Sequence, residues 1–213
     1  MSRKMNVLSQ LKENYVFAVV RGKTAEEALI ISEKCVAGGI KNIELTYTTP
    51  NASQAIREYT IKNTDSSVMI GAGTVLDAAT ANEAILAGAQ FIVSPHFDAR
   101  ISSVCNRYAI PYLPGCGSVT EIVTAMENGA DVVKLFPGGL LGASFIKDVH
   151  GPLPFAEMMP SGGVSIDNLD QWVAAGAWAV GVGSALTKDV ATAGYESVEV
   201  IAKRFIDKVT DLK

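Results

Sequence analysis

A single (β/α)8 barrel of the TIM type, with a short helix at its N-terminus, is the fold this sequence predicts, and three observations predict it. Short apolar runs rich in Val and Ile recur along the chain, each followed by a stretch of helical periodicity. There are eight such runs. The 213 residues match one such barrel, and no linker, low-complexity segment or shift of composition divides them, so residues 1–213 read as one domain.

The first fifteen residues, "MSRKMNVLSQLKENY", are broken by charges before any apolar run develops. They predict a short amphipathic helix using Met5, Leu8 and Leu11, and neither a signal peptide nor a membrane span. The strands follow as "VFAVVR" (16–21), "NIELTY" (42–47), "SVMIGAGT" (67–74), "QFIVSP" (90–95), "IPYLPG" (110–115), "DVVKLFP" (131–137), a weak one at "AEMMPSGG" (156–163), and "AWAVGVGS" (177–184).

Helix starts are marked by Thr24-x-x-Glu27 and Ser118-x-x-Glu121, both of capping-box form, and by Pro50 as a first-turn residue after Thr49. Helix ends repeat as "AGGIKN", "AGAQF", "NGADV" and "AGAWA", with glycine at the turn into the next strand. Strict alternation implies parallel strands joined by right-handed crossovers. An open doubly wound sheet is the alternative. Against it, "GAGT" follows the third strand and lacks the G-x-G-x-x-G spacing expected at the first strand-to-helix turn of a dinucleotide fold.

With 48% hydrophobic and 19% charged residues and a net charge of -4, the chain reads as a mildly acidic globular protein. No basic stripe is present to neutralise phosphates, so nucleic acid is not an expected partner. Cys35, Cys105 and Cys116 are odd in number and widely separated, which fits a reduced, cytoplasmic chain. His96 and His150 lie far from any Cys/His spacing that would suggest zinc.

Chemistry is expected where the strands end. Successive strand residues alternate between the interior and the helices. If Ile43 and Leu45 face the helices, then Asn42, Glu44 and Thr46 point inward. If Val133 and Leu135 face them, then Val132, Lys134 and Phe136 point inward. A carboxylate and an amine therefore share one interior. A buried salt bridge is the plain alternative, but such a pair is costly to desolvate and is weak evidence of stabilisation.

Other strand ends add to this. "PSGGVS" carries Ser161, Gly162 and Gly163 after the seventh strand, and "GVGSAL" carries Gly183 and Ser184 after the eighth. Glycines admit close backbone approach, a helix start favours an anion, and the last two strand ends are the frequent phosphate site of such barrels. Tight turns are the alternative reading of each loop alone. Thr74, at the rim of the third strand, could hold a small carboxylate, as could Arg21 at the end of the first, which otherwise covers the barrel end. His96 and Cys116 are secondary candidates near the rim.

In order, "GGIKNIELTYTTP", "IGAGTV", "FIVSPHFD", "PYLPGCGSVTE", "VVKLFPGG" and "MPSGGVSIDNLDQWVAAGAWAVGVGSAL" resemble the Schiff-base aldolases of the 2-keto-3-deoxy-6-phosphogluconate (KDPG) and 4-hydroxy-2-oxoglutarate aldolase family. The resemblance covers nearly the whole chain. It implies a usually trimeric (β/α)8 barrel that needs no metal or organic cofactor and reversibly splits KDPG into pyruvate and glyceraldehyde 3-phosphate. It also implies that Lys134 forms the imine and Glu44 is the acid/base carboxylate. Thr74 then lies near the pyruvate carboxylate, Pro95 and Phe136 line the imine pocket, and Ser161, Gly162, Gly163 and Ser184 hold phosphate.

One departure concerns "ELTYTTP", where Thr48 stands in place of the arginine that the best-known pattern carries. Other members instead carry an arginine at the end of strand one, as Arg21 does here, and galactonate-type relatives share it. Arg21 is therefore expected to take over the carboxylate contact, and the galactonate epimer stays open as substrate. Ser161 is a milder variation, keeping the hydroxyl where threonine is common. A phosphosugar isomerase or epimerase on the same barrel would use the loops and a glutamate but needs no imine-forming lysine; a silent metabolite-binding barrel would have lost Lys134 or Glu44.

Overall fold

A computed structural model describes residues 2–213. Helix α1 (Arg3–Asn14) starts at Ser2, whose hydroxyl accepts from the Met5 amide. It buries Val7, Leu8 and Leu11, while Met5 is 50% exposed. The buried stripe therefore runs through Val7, four residues before Leu11, and the sequence expectation for Met5 is corrected. The helix lies under the strand starts, where Asn42 donates to the Leu11 carbonyl at 2.9 Å and accepts from Asn14 at 2.8 Å.

Strands and helices then alternate: β1 (Val16–Val20), α2 (Ala25–Ala37), β2 (Asn42–Thr46), α3 (Ala52–Lys62), β3 (Met69–Gly73), α4 (Ala78–Ala87), β4 (Ile92–Val93), α5 (Ala99–Tyr108). The predicted strand at 110–115 is interrupted. Pro114 has no N–H for a ladder and separates β5 (Tyr112–Leu113) from β6 (Gly115–Cys116), although its carbonyl still accepts from Lys134 N at 2.8 Å. Next come α6 (Val119–Glu127) and β7 (Val132–Leu135), then two short helices, α7 (Gly138–Leu141) and α8 (Ser144–His150), before β8 (Glu157–Pro160). After it come α9 (Leu169–Ala174), β9 (Val180–Val182), α10 (Ser184–Thr187), α11 (Val190–Ala193) and α12 (Glu196–Leu212).

Every strand pairing among the described residues is parallel. They form a six-stranded sheet ordered β5-β4-β3-β2-β1-β9 and a three-stranded sheet ordered β6-β7-β8. The two sheets meet twice, through the Ser161–Gly181 bridge and through the single residue Pro114. Ile43, Leu45, Val133 and Leu135 are all buried, consistent with packing beneath the helices. Phe17 and Phe91 meet edge to face at 5.4 Å between ring centres.

The local signals largely hold. Thr24 and Ser118 accept from the amides of Glu27 and Glu121, at 3.1 and 3.3 Å. Each glutamate reaches back one residue further than a standard capping box, to the amides of Lys23 and Gly117. Pro50 lies outside its helix, because Asn51 caps α3 in the left-handed region at φ 55°, a conformation asparagine tolerates. The predicted helix-ending glycines Gly39, Gly88, Gly129 and Gly176 all have positive φ, between 86° and 114°. Among the described residues no helix is long and apolar enough to cross a membrane.

Candidate functional site

Glu44 sits in the middle of β2 with its side chain 0% exposed, and Lys134 in β7 has its side chain 6% exposed. Parity turned both inward, and Lys134 Nζ stands 3.5 Å from Glu44 Oε1. That distance suits an ion pair and is long for a hydrogen bond. Both Glu44 oxygens are buried without a hydrogen-bond partner. Burial pushes the Glu44 carboxyl above the usual range, with Lys134 and then Arg21 pulling it back. A buried carboxyl with free acceptor sites beside an amine is suited to accept and return a proton.

The glycines of β3 make room for this carboxylate. A Cβ on Gly73 would lie 2.1 Å from Glu44 Oε1, and one on Gly71 would lie 2.4 Å from the Phe91 ring. "GAG" is therefore explained by the volume of an acidic side chain and a phenyl ring. Lys134 Nζ also lies 5.4 Å from the centre of the Phe136 ring, within range of a cation–π contact.

Lys134 opens onto a cavity of about 570 Å³. Arg21 and Phe136 line it with Lys134, together with Ser161, Gly162, Gly163, Gly183 and Ser184. Gly162 and Gly163 both hold φ 81°, which L side chains rarely adopt, and a Cβ on Gly163 would stand 2.7 Å from Gly139 Cα. Asn168 pins this loop by accepting from Ser165 N at 2.9 Å and donating to the Gly163 carbonyl at 2.8 Å. The helix after Ser184 is a single turn, too short for the strong helix-start dipole expected from the sequence.

Thr74 and Pro95 sit at the ends of neighbouring strands but do not line this cavity. Thr74 nevertheless holds φ 54°, unusual for a β-branched residue and the kind of backbone outlier that clusters at functional sites. Thr48 hydrogen-bonds Thr46 at 2.8 Å between hydroxyls. Of the secondary candidates, His96 is exposed, and its carbonyl accepts from Ser94 and Tyr112. Burial pushes the Cys116 thiol up to about 12, so it is no ready nucleophile.

Six cavity residues were missed: Val19, Val164, Ser165, Ala185, Thr187 and Lys188. Val19 has the inward parity of Glu44, to which it is paired in register, so it was available from the sequence. The others lie beyond strand ends, where the path of a loop decides what faces inward. No group of three or more His, Cys, Asp or Glu side chains among the described residues is placed to hold a metal ion.

A family model described as "Aldolase: KDPG and KHG aldolase" matches residues 7–202. The chain is 36% identical over 171 residues to a 2-dehydro-3-deoxy-phosphogluconate aldolase of Treponema pallidum, covering 80% of each chain. It is 33% identical over 190 residues to a 2-dehydro-3-deoxy-6-phosphogalactonate aldolase of Escherichia coli, covering 89% of this chain and 90% of the relative. Among solved structures, a KDPG aldolase from Legionella pneumophila, with pyruvate captured as a covalent carbinolamine, superposes with a TM-score of 0.84 at 26% identity, over 92% of this chain and 96% of that one.

Proposed function

Because the chain belongs to the KDPG and KHG aldolase family, we propose that it is a carbon–carbon lyase that reversibly cleaves a 2-keto-3-deoxy-6-phospho sugar acid to pyruvate and glyceraldehyde 3-phosphate through an imine on Lys134. The observation that carries this reading is the buried Lys134–Glu44 pair opening onto a cavity that is also lined by a loop with paired glycines. The two parallel sheets are read as one closed (β/α)8 barrel, supported by the bridge at Ser161–Gly181 and by the single residue between β5 and β6.

The unprotonated Lys134 amine adds to the C2 carbonyl, and the carbinolamine loses water to give a protonated imine. A base then takes the proton of the C4 hydroxyl. The C3–C4 bond breaks, its electron pair moving into the imine to form an enamine as the aldehyde leaves. Protonation of the enamine at C3 gives the pyruvate imine, which water hydrolyses to pyruvate and free Lys134. Glu44, with two unpaired acceptor oxygens 3.5 Å or more from Nζ, is assigned these proton transfers, acting through a water where the reacting atom is further away.

Arg21 is assigned the substrate carboxylate, with Thr74 beside it. Ser161, Gly162, Gly163, Gly183 and Ser184 are assigned the phosphate, and Pro95 and Phe136 the walls around the imine. Binding the phosphate far from the reacting carbons supplies positioning energy. Arg21 on the cavity wall, and the likeness to a phosphogalactonate aldolase, favour a second reading in which the C4 epimer is the substrate. Cleavage of the two epimers, followed as pyruvate release, decides between them, and absence of cleavage of both refutes the assignment. The proposed assembly is a homotrimer, to be read from light scattering after size exclusion.

A further inference from the structure

The cavity wall that begins at Gly183 ends on Lys188, directly after α10. We infer that Lys188 provides the positive charge for the substrate's terminal phosphate and so sets the preference for a phosphorylated over an unphosphorylated aldehyde. This rests on the aldolase reading above.

The charges around the cavity lead to it. A phosphate monoester brings nearly two negative charges at neutral pH. Ser161, Gly162, Gly163, Gly183 and Ser184 offer it only hydroxyls and amides, which satisfy hydrogen bonds and leave the charge uncompensated. Arg21, Lys134 and Lys188 are the cations lining the cavity, and no carboxylate lines it. Lys134 is matched with Glu44. Arg21 bears on the Glu44 carboxyl as well, its Nη1 lies 3.9 Å from where a Gly183 Cβ would stand, and its charge is taken by the substrate carboxylate assigned to it above. Lys188 is left.

Its surroundings suit the task. Among the described residues Lys188 makes no salt bridge, so no acidic neighbour has to be displaced. Asp189 follows it in sequence but does not line the cavity. The ammonium rides on a flexible, exposed stem on the same wall as Ser184, so it can follow a phosphate seated between the two glycine loops.

The test is the condensation of pyruvate with glyceraldehyde 3-phosphate and, separately, with glyceraldehyde, using wild type, Lys188→Gln and Lys188→Arg. Lys188→Gln should raise KM for the phosphorylated aldehyde about tenfold, the low end of what one charge-assisted hydrogen bond is worth, as suits an exposed side chain. Its kcat and its KM for glyceraldehyde should stay within about twofold of wild type by the same reasoning, and Lys188→Arg should recover most of the loss. Exchange of the pyruvate methyl protons in heavy water, which involves no phosphate, should be unchanged in both variants. An unaltered KM, an equal loss with both aldehydes, or lost proton exchange in Lys188→Gln overturns the inference. A wild-type protein that neither exchanges nor condenses refutes the aldolase reading itself.

Discussion

Adding one methyl group at Gly73 should disable the site with the chain still folded. The new Cβ would meet Glu44 Oε1 at 2.1 Å, Cγ at 2.5 Å and Cδ at 2.7 Å, on a side chain that is wholly buried. The carboxylate has to retreat by about 1 Å or more to regain van der Waals separation. Its distance to Lys134 Nζ is already 3.5 Å, so a shift of that size alters the proton path between them. A misplacement of about 1 Å at a reacting group can cost roughly a hundredfold in rate, and overpacking a core costs about 1–3 kcal/mol. Gly73→Ala should therefore lose about two orders of magnitude in kcat. In a chain of this size its melting temperature should fall by roughly 2–10 °C.

Gly71→Ala is the control. Its Cβ would strike the Phe91 ring, whose three nearest atoms lie at 2.4–2.5 Å, so it overpacks the same strand against an aromatic ring first and not against the carboxylate. It should lose comparable stability and keep most of its activity. Steady-state cleavage kinetics beside thermal melts by circular dichroism check both variants. A folded Gly73→Ala protein with near wild-type kcat, or equal loss of activity in the two variants, refutes the placement of Glu44.

Three further outcomes follow from the same structure. Glu44 titrates above an ordinary glutamate because burial penalises its anion, so between about pH 4.3 and its own raised value the folded state holds the extra proton. The stability of wild type relative to Glu44→Gln should thus fall as pH rises through that window and level off above it, as read from urea midpoints; a rising difference contradicts the assignment. Gly163→Ala forces an L side chain to φ 81° against Gly139 and should cost about 1–2 kcal/mol from the left-handed backbone alone, with KM for the phosphorylated substrate rising more than kcat falls. Cys35, Cys105 and Cys116 are all buried with thiols pushed up to about 12, so a chromogenic disulfide reagent at pH 8 should find no thiol until urea unfolds the chain.

Much of this was legible in the sequence because strand parity and strand ends are local properties. Alternation alone placed Glu44 and Lys134 in one interior, and glycine spacing placed the turns out of the helices. What escaped depends on three-dimensional context. Pro114 split a strand whose apolar pattern looked continuous, because the missing N–H matters only once the ladder is drawn. Met5 and Val7 flank the Leu8 and Leu11 stripe on opposite sides, and only docking beneath the strands selects Val7. "SALTK" gives no sign that it forms a single turn ending in a lysine at the cavity. The close fit of Gly73 to Glu44 joins two strands and was invisible in either one.

The imine on Lys134 is the central claim, and borohydride reduction in the presence of pyruvate tests it most directly, read by intact-protein and peptide mass spectrometry. One pyruvate-derived adduct per chain, located on Lys134 and absent from Lys134→Ala, is the predicted result. A folded wild-type protein that gains no adduct, or gains one at another lysine, would contradict it and return the Lys134–Glu44 contact to a buried ion pair.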